Sequence, residues 1–520
     1  MATSPTNAGP SSSAACPRCG QANPGLEACS RCGVIFAKIR TRTIPSPSPR
    51  ETGHDDDEES RPGFPWGGAL AIALVAVCGV AGWRGLHAPR PTPAVRVPRT
   101  PDLRTLPRTD AAPVVEPPPP TLDAAAPLPV DALQAEAAGL ADEDREKAEA
   151  LAHRLPSVTA ADVATAEQLY ARHPETRNLL EATLLNVADG ERRRRRFTDA
   201  AVLYQRAAAV QTQLARPCLY LMDTLVEAGD WAGAESAARA AIAREPRNAD
   251  GWQGLGYALM RQDRNTEAAE ALRTALQIRP DATAQGLLDR VTKGMADERG
   301  MTEQHLSHFH VRYDGEAHED VGREILRALE RHYATLASTL DHQPQATIPV
   351  ILFSRDAYYD AAGAPVWSGG VYDLLDGRIR VPIQGLTRSL TPDMDRTLLH
   401  ELTHAFVADR THGVSPDGIR DIQEGLAQYM EGERITERLS PQQLTMFADG
   451  RARGVGGFYL YALSFVEYLI SIRGMGGIND LVRVIGETGS VDEAFRQVYG
   501  QDHAATVKAW FERLHQQHGS

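Results

Sequence analysis

The sequence predicts a multidomain chain: a small cysteine-rich metal module, one transmembrane helix, an all-α solenoid and a C-terminal α+β domain. Three observations carry this division. Two Cys-x-x-Cys pairs stand close together near the N-terminus, an uncharged stretch follows at 66–83, and alanines then recur every 34 residues before a segment where strand and helix patterns mix. A length of 520 residues is also more than one core accommodates.

The first part is residues 14–40. Cys16-Pro17-Arg18-Cys19 and Cys29-Ser30-Arg31-Cys32 are separated by nine residues, and a glycine, Gly20 or Gly33, follows each pair. Glycine suits the tight turn that aims two thiolates at one ion. Cys16, Cys19, Cys29 and Cys32 therefore read as a four-sulfur site for a structural zinc, with two disulfides as the alternative. The segment resembles a small zinc ribbon. Such a site, with every position filled by protein, is structural or partner-binding and not catalytic. Cys78 and Cys218 stand apart and read as buried side chains.

Residues 41–63 are polar, contain proline and carry an acidic run at 55–59, the composition of a disordered linker. A transmembrane helix is expected at 64–86. Its uncharged centre runs 18 residues from Trp66 to Trp83, a helix of about 27 Å with an aromatic residue at each end. A buried helix of a soluble domain is the competing reading, but linkers on both sides leave no domain to bury it. Residues 87–135 are proline-rich, Pro117 to Pro120 included, and read as a semi-rigid spacer.

Residues 141–300 are repetitive. Ala200, Ala234 and Ala268 are 34 apart, as are Ala207, Ala241 and Ala275, and Pro246 and Pro280. Small residues at fixed spacing let paired helices approach closely. Units at 181–214, 215–248 and 249–282, the last with Trp252, Leu255, Gly256 and Leu259, resemble tetratricopeptide repeats. Weaker helical segments at 141–173 and 283–297 would cap them. The resemblance implies a concave surface that holds a protein partner; a plain structural spacer is the alternative. Arg192 to Arg196 reads as a solvated face or loop of this solenoid, or else as a patch for an acidic partner.

From residue 301 the pattern is α+β. Strands are expected at 305–313 and 347–353 with helix Glu319–Leu340 between them, then a strand pair at 370–382 and mostly helix after 393. His305, His308 and His310 read as polar strand positions. His305 falls on the other face from the remaining two, and no carboxylate is spaced with them. Residues 393–408 carry an apolar stripe of Leu398, Leu399, Leu402, Ala405 and Phe406 without proline or glycine, so they predict a helix. Within it lies His400-Glu401-Leu402-Thr403-His404. Histidines at i and i+4 share one helix face and can converge on one metal ion. Glu401, one step round, can reach a metal-bound water. Glu424 follows nineteen intervening residues later, on a second helix-like segment at 422–430.

HELTHAF followed by EGLAQY resembles the gluzincin metallopeptidases, whose third zinc ligand is a glutamate on the helix after HExxH. Residues 367–373 and 377–382 look like the strand pair preceding the active-site helix in the small peptidase MA-like branch, and 461–469 and 492–510 look like its helical C-terminal part. The resemblance covers 301–520. It implies a zincin-like α+β fold and a catalytic zinc held by His400, His404 and Glu424, with one position open for water. It implies Glu401 as general base, and Tyr461 as a donor to the oxyanion, chosen for its Tyr-Ala-x-Ser-Phe setting; Tyr459 and Tyr429 are the competitors. In one departure, Asp421 stands where that branch often has tryptophan.

The formal charge of −13 argues against a general nucleic-acid binder. The expected function is that of a membrane-anchored zinc metallopeptidase. It would hydrolyse peptide bonds through a zinc-bound water with Glu401 as base, while the repeats recruit a peptide or protein substrate or a partner. The alternative is a tetratricopeptide assembly scaffold with an inactive peptidase-like domain. Zinc-binding thiolates favour a reducing compartment, hence a single-pass protein of a bacterial inner membrane with its N-terminus cytoplasmic and its catalytic domain periplasmic. Arg84, Arg90, Arg96 and Arg99 after the helix, against Arg50 and Arg61 before it, point the other way under the positive-inside rule. The spacer's length and proline content favour the first placement.

Overall fold

The computed structural model describes residues 130–313, 319–362, 369–383, 389–414, 416–435, 439–440, 443–444 and 454–518. The expected zinc ribbon at 14–40, linker at 41–63, transmembrane helix at 64–86 and nearly all of the spacer at 87–135 lie outside these residues. Among the described residues no helix is long and apolar enough to cross a membrane.

The first half is all helix: α1 (Val130–Ala137), α2 (Asp142–His153), α3 (Ala160–Arg172), α4 (Arg177–Arg193), α5 (Phe197–Val210), α6 (Arg216–Ala228), α7 (Trp231–Arg244), α8 (Ala249–Arg261), α9 (Asn265–Ile278) and α10 (Ala282–Asp297). From α4 to α9 they form successive helix pairs. Polar side chains cap the starts: Asp230, Asn248 and Asp281 accept from the backbone N–H of Gly233, Gly251 and Ala284. The alanines spaced by 34 are all buried, because a methyl group is what lets neighbouring helices pack at close axial distance.

The second half contains a five-stranded sheet in the order β1-β2-β3-β5-β4. The strands are β1 (Thr302–Leu306), β2 (Phe309–Tyr313), β3 (Ile348–Ser354), β4 (Val371–Asp373) and β5 (Arg378–Ile383), with α11 (Glu319–Leu340) between β2 and β3 and α12 (Arg355–Ala362) after β3. β2, β3 and β5 run parallel; β1 and β4 are antiparallel edges. Residues 305–313, expected as one strand, are a hairpin that turns at Ser307 and His308. β1 is mostly exposed and carries no apolar alternation, so the hairpin left no periodic trace in the sequence. After the sheet come α13 (Pro392–Arg410), α14 (Pro416–Met430), α15 (Gly454–Thr488, broken at Gly474), α16 (Val491–Tyr499) and α17 (His503–His518).

The two faces of β2 and β5 differ in kind. Phe309, Val311, Ile379 and Val381 join Leu398, Leu402, Phe406 and Phe465 in one apolar core under the helices. Arg312 and Arg378 point to the other face and meet the repeats. Arg378, 3% exposed at its side chain, bonds Asp263 and Glu298, and Arg312 Nη2 is 2.6 Å from Asp263 Oδ2. Backbone contacts extend this seam. Arg195, in the left-handed region at φ 57°, donates from Nε to the Gly486 carbonyl at 2.7 Å and from Nη2 to that of Thr411 at 3.1 Å. His412 Nδ1 donates to the Ala228 carbonyl at 3.1 Å. The basic run at 192–196 is therefore divided. Arg192, Arg193, Arg194 and Arg196 pair with the repeats' own carboxylates Glu227, Asp189 and Glu191, while Arg195 clamps the two halves together.

Candidate metal centre

α13 starts at Thr391, whose side chain accepts from the Met394 N–H, and Pro392 follows at the first helical position. Leu398, Leu402, Ala405 and Phe406 on its buried face fix its rotation. That leaves His400 and His404 side by side, with ring centroids 4.9 Å apart. α14 brings Glu424 opposite them. It can do so because Gly425 lies against α15: a Cβ there would stand 2.1 Å from the Ala462 carbonyl oxygen.

One ligand atom each from His400, His404 and Glu424 lies within 4.8 Å of the others. Glu424 Oε2 is 3.4 Å from His400 Nε2 and 3.6 Å from His404 Nε2. Tetrahedral ligands at zinc distances stand about 3.3 Å apart, so these spacings suit one ion. Glu424 Oε2 is buried, and no well-aligned hydrogen bond from the described residues satisfies it, as expected of an atom whose partner is a cation. The other ring nitrogen of His400, Nδ1, donates to Glu431 Oε1 at 3.2 Å, which turns Nε2 toward Glu424.

The field of the cluster is negative. Burial opposes charge on His400, yet its pairing with Glu424 and Glu431 holds its pKa up to about 10. Burial likewise opposes charge on Glu424, yet His404 and His400 hold its carboxyl far below the usual range. Glu401 is buried beside them, and desolvation raises its pKa against the pull of the histidines. Its Oε2 accepts from the Tyr372 backbone N–H at 2.8 Å. The residue entering β4 runs so close over Glu401 that a Cβ at Gly370 would be 2.9 Å from its Cγ.

Tyr461, expected in the cleft, is elsewhere. Its hydroxyl donates to Asp421 Oδ2 at 3.0 Å, and its ring lies in the core, stacked on Phe465 and edge-on to Trp510. Spacing cannot tell two tyrosines two residues apart which side of a helix will face the cleft. Tyr459 is the one near the cluster: burial first, then the charges of Glu424 and Glu401, raise its pKa. The Tyr429 ring is covered by the Arg434 guanidinium at 3.4 Å. Asp421 also accepts from His503 Nε2 at 2.9 Å, so where the resembling branch often has tryptophan, this chain builds a buried polar knot.

The hairpin also corrects the reading of His305, His308 and His310. His305 and His310 pair across it with ring centroids 4.2 Å apart, and Glu303 joins them. This too is a group that can hold an ion, but Arg312 already bonds Glu303 at 3.0 Å and Asp263 at 2.6 Å. His308 is in the turn, bonded to Glu330 at 2.7 Å and stacked on Tyr333. Glu431 lies outside the motifs read from the sequence, and the Tyr372 amide is a backbone group that no side-chain pattern marks.

Residues 221–283 match the tetratricopeptide repeat family. They span the helices from α6 to α9, and the chain carries a helical repeat region of this kind. No curated protein matches the chain.

Proposed function

We propose that the chain is a zinc metallopeptidase of the gluzincin type, with His400, His404 and Glu424 as the ligand set, Glu401 as general base and the repeats as the recruiting surface for substrate or partner. The observation that supports it is the buried Glu424 Oε2, without a well-aligned hydrogen bond, facing two imidazole nitrogens at 3.4 and 3.6 Å. A bound zinc ion would supply Lewis-acid activation of water and charge stabilisation.

The chain's own groups supply the rest. Tyr372 N–H fixes Glu401 Oε2, so Oε1 is the oxygen that takes a proton from the attacking water and delivers it to the leaving amine. Burial makes that carboxylate a better base than a solvated one. Tyr459, neutral at pH 7, is the donor to the developing oxyanion. Glu431 orients His400. β4 is an edge strand and can take an extended peptide alongside it. The four-cysteine site and the transmembrane helix expected from the sequence at 16–32 and 64–86 would make the protein a zinc-ribbon-bearing, membrane-anchored enzyme with a periplasmic catalytic domain.

The test is metal content by mass spectrometry on the full chain. Relative to the parent, His400→Ala and Glu424→Ala should each lose one zinc equivalent, and Glu401→Gln should lose none. Equal zinc in the parent and both ligand variants contradicts the ligand set.

A further inference from the structure

The sheet edge that holds Glu401 is not anchored by the catalytic half alone. β4 and β5 form a hairpin with register Val371↔Arg380, Tyr372↔Ile379 and Asp373↔Arg378. Its tip enters the repeats. Leu375 belongs to the apolar cluster formed by α4 to α10 and is buried there. The Leu374 carbonyl accepts from Arg261 Nη1 at 2.9 Å, at the end of α8, and that guanidinium is itself held over the Trp231 ring at 4.1 Å. Asp373 Oδ2 pairs with Arg290 of α10. One residue before Asp373, the Tyr372 N–H grips Glu401.

We infer that the repeats position the base: the β4–β5 hairpin is the connecting part, and Arg261, Arg290 and Leu375 are positioning residues for Glu401. Three residues of edge strand have too few ladder bonds to hold a fixed place by themselves. A tip seated in a second core and two guanidinium anchors remove that freedom. The repeats are thus part of the catalytic unit. The inference rests on Glu401 being the base, but the mechanical link does not.

The test uses the full chain with Arg290→Ala, Arg290→Lys and Leu375→Ala. Arg290 is partly exposed, so its replacement keeps the fold even if Leu375→Ala does not. Hydrogen exchange read by mass spectrometry should be roughly tenfold faster in peptides covering 371–377, with α13 and α4–α9 unchanged. With a peptide that the parent hydrolyses, kcat should fall about tenfold while KM stays within about twofold. Arg290→Lys should restore most of both. Unchanged exchange in the hairpin overturns the inference, as does faster exchange spread evenly over the catalytic half, or a kcat that does not follow a loosened hairpin. If the hairpin loosens as described and the parent hydrolyses nothing, the link stands and the peptidase reading fails.

Discussion

The Tyr461 hydroxyl donates to Asp421 Oδ2 at 3.0 Å, and Asp421 is three residues before Glu424 on α14. The bond ties α15 to the helix that carries the third candidate ligand. Tyr461 is therefore a support for the site, and its replacement tests stability more than chemistry. Tyr461→Phe should lower unfolding free energy by about 1–3 kcal/mol, because Asp421 is left short of a donor. Turnover per folded, metal-loaded molecule should change little. Tyr459→Phe should do the reverse, cutting kcat by roughly a hundredfold or more with the melting temperature nearly unchanged. A Tyr461→Phe protein of parental stability with collapsed turnover would return the oxyanion role to Tyr461.

The same knot sets a pH dependence. Burial disfavours charge on His503, but its bond to Asp421 outweighs this and raises its pKa. A raised folded-state pKa contributes stability that is fully present below the unfolded value of about 6.5 and is lost as pH rises through the folded value. His503→Gln should thus cost more stability at about pH 6 than at about pH 9. Denaturant midpoints at the two pH values measure it; an equal cost at both contradicts the pairing.

Glu431 should tune metal affinity without being a ligand. Its bond to His400 Nδ1 fixes the ring's tautomer and direction. Glu431→Gln should weaken zinc binding about 10- to 100-fold in competition with a chelator. A loss as complete as that of Glu424→Ala would make Glu431 a ligand in its own right.

The seam between the halves should behave as a buried ion network. Arg378 bonds Asp263 and Glu298 while nearly fully buried. Arg378→Ala leaves both carboxylates without that guanidinium and should cost about 3–5 kcal/mol. Calorimetry should then show the repeats and the C-terminal half melting separately, where the parent should melt as one unit. A single unshifted transition contradicts the role given to the seam.

The repeats were legible because packing forces a period: buried alanines every 34 residues recur in the folded helices as they do in the chain. The His400, His404 and Glu424 cluster was legible because one helix face and one following helix suffice to assemble it. What stayed hidden depends on contacts between distant segments. Arg195 meets Gly486 across 291 positions, and Tyr372 meets Glu401 through a backbone group that any residue carries. Tyr461 and Tyr459 differ only in which way a helix is turned, and that is decided by Phe465 and Trp510, not by spacing. The β1–β2 hairpin was missed because its outer strand is exposed on both sides.

Glu401 is proposed to act as the base of a metal-assisted hydrolysis. The most direct measurement is cleavage of a denatured-proteome peptide library by the full chain and by Glu401→Gln, at equal and verified zinc content. The parent should cleave, and the variant should lose about a thousandfold or more of that activity. Equal cleavage by the two proteins, or none by the zinc-loaded parent, would contradict that role for Glu401.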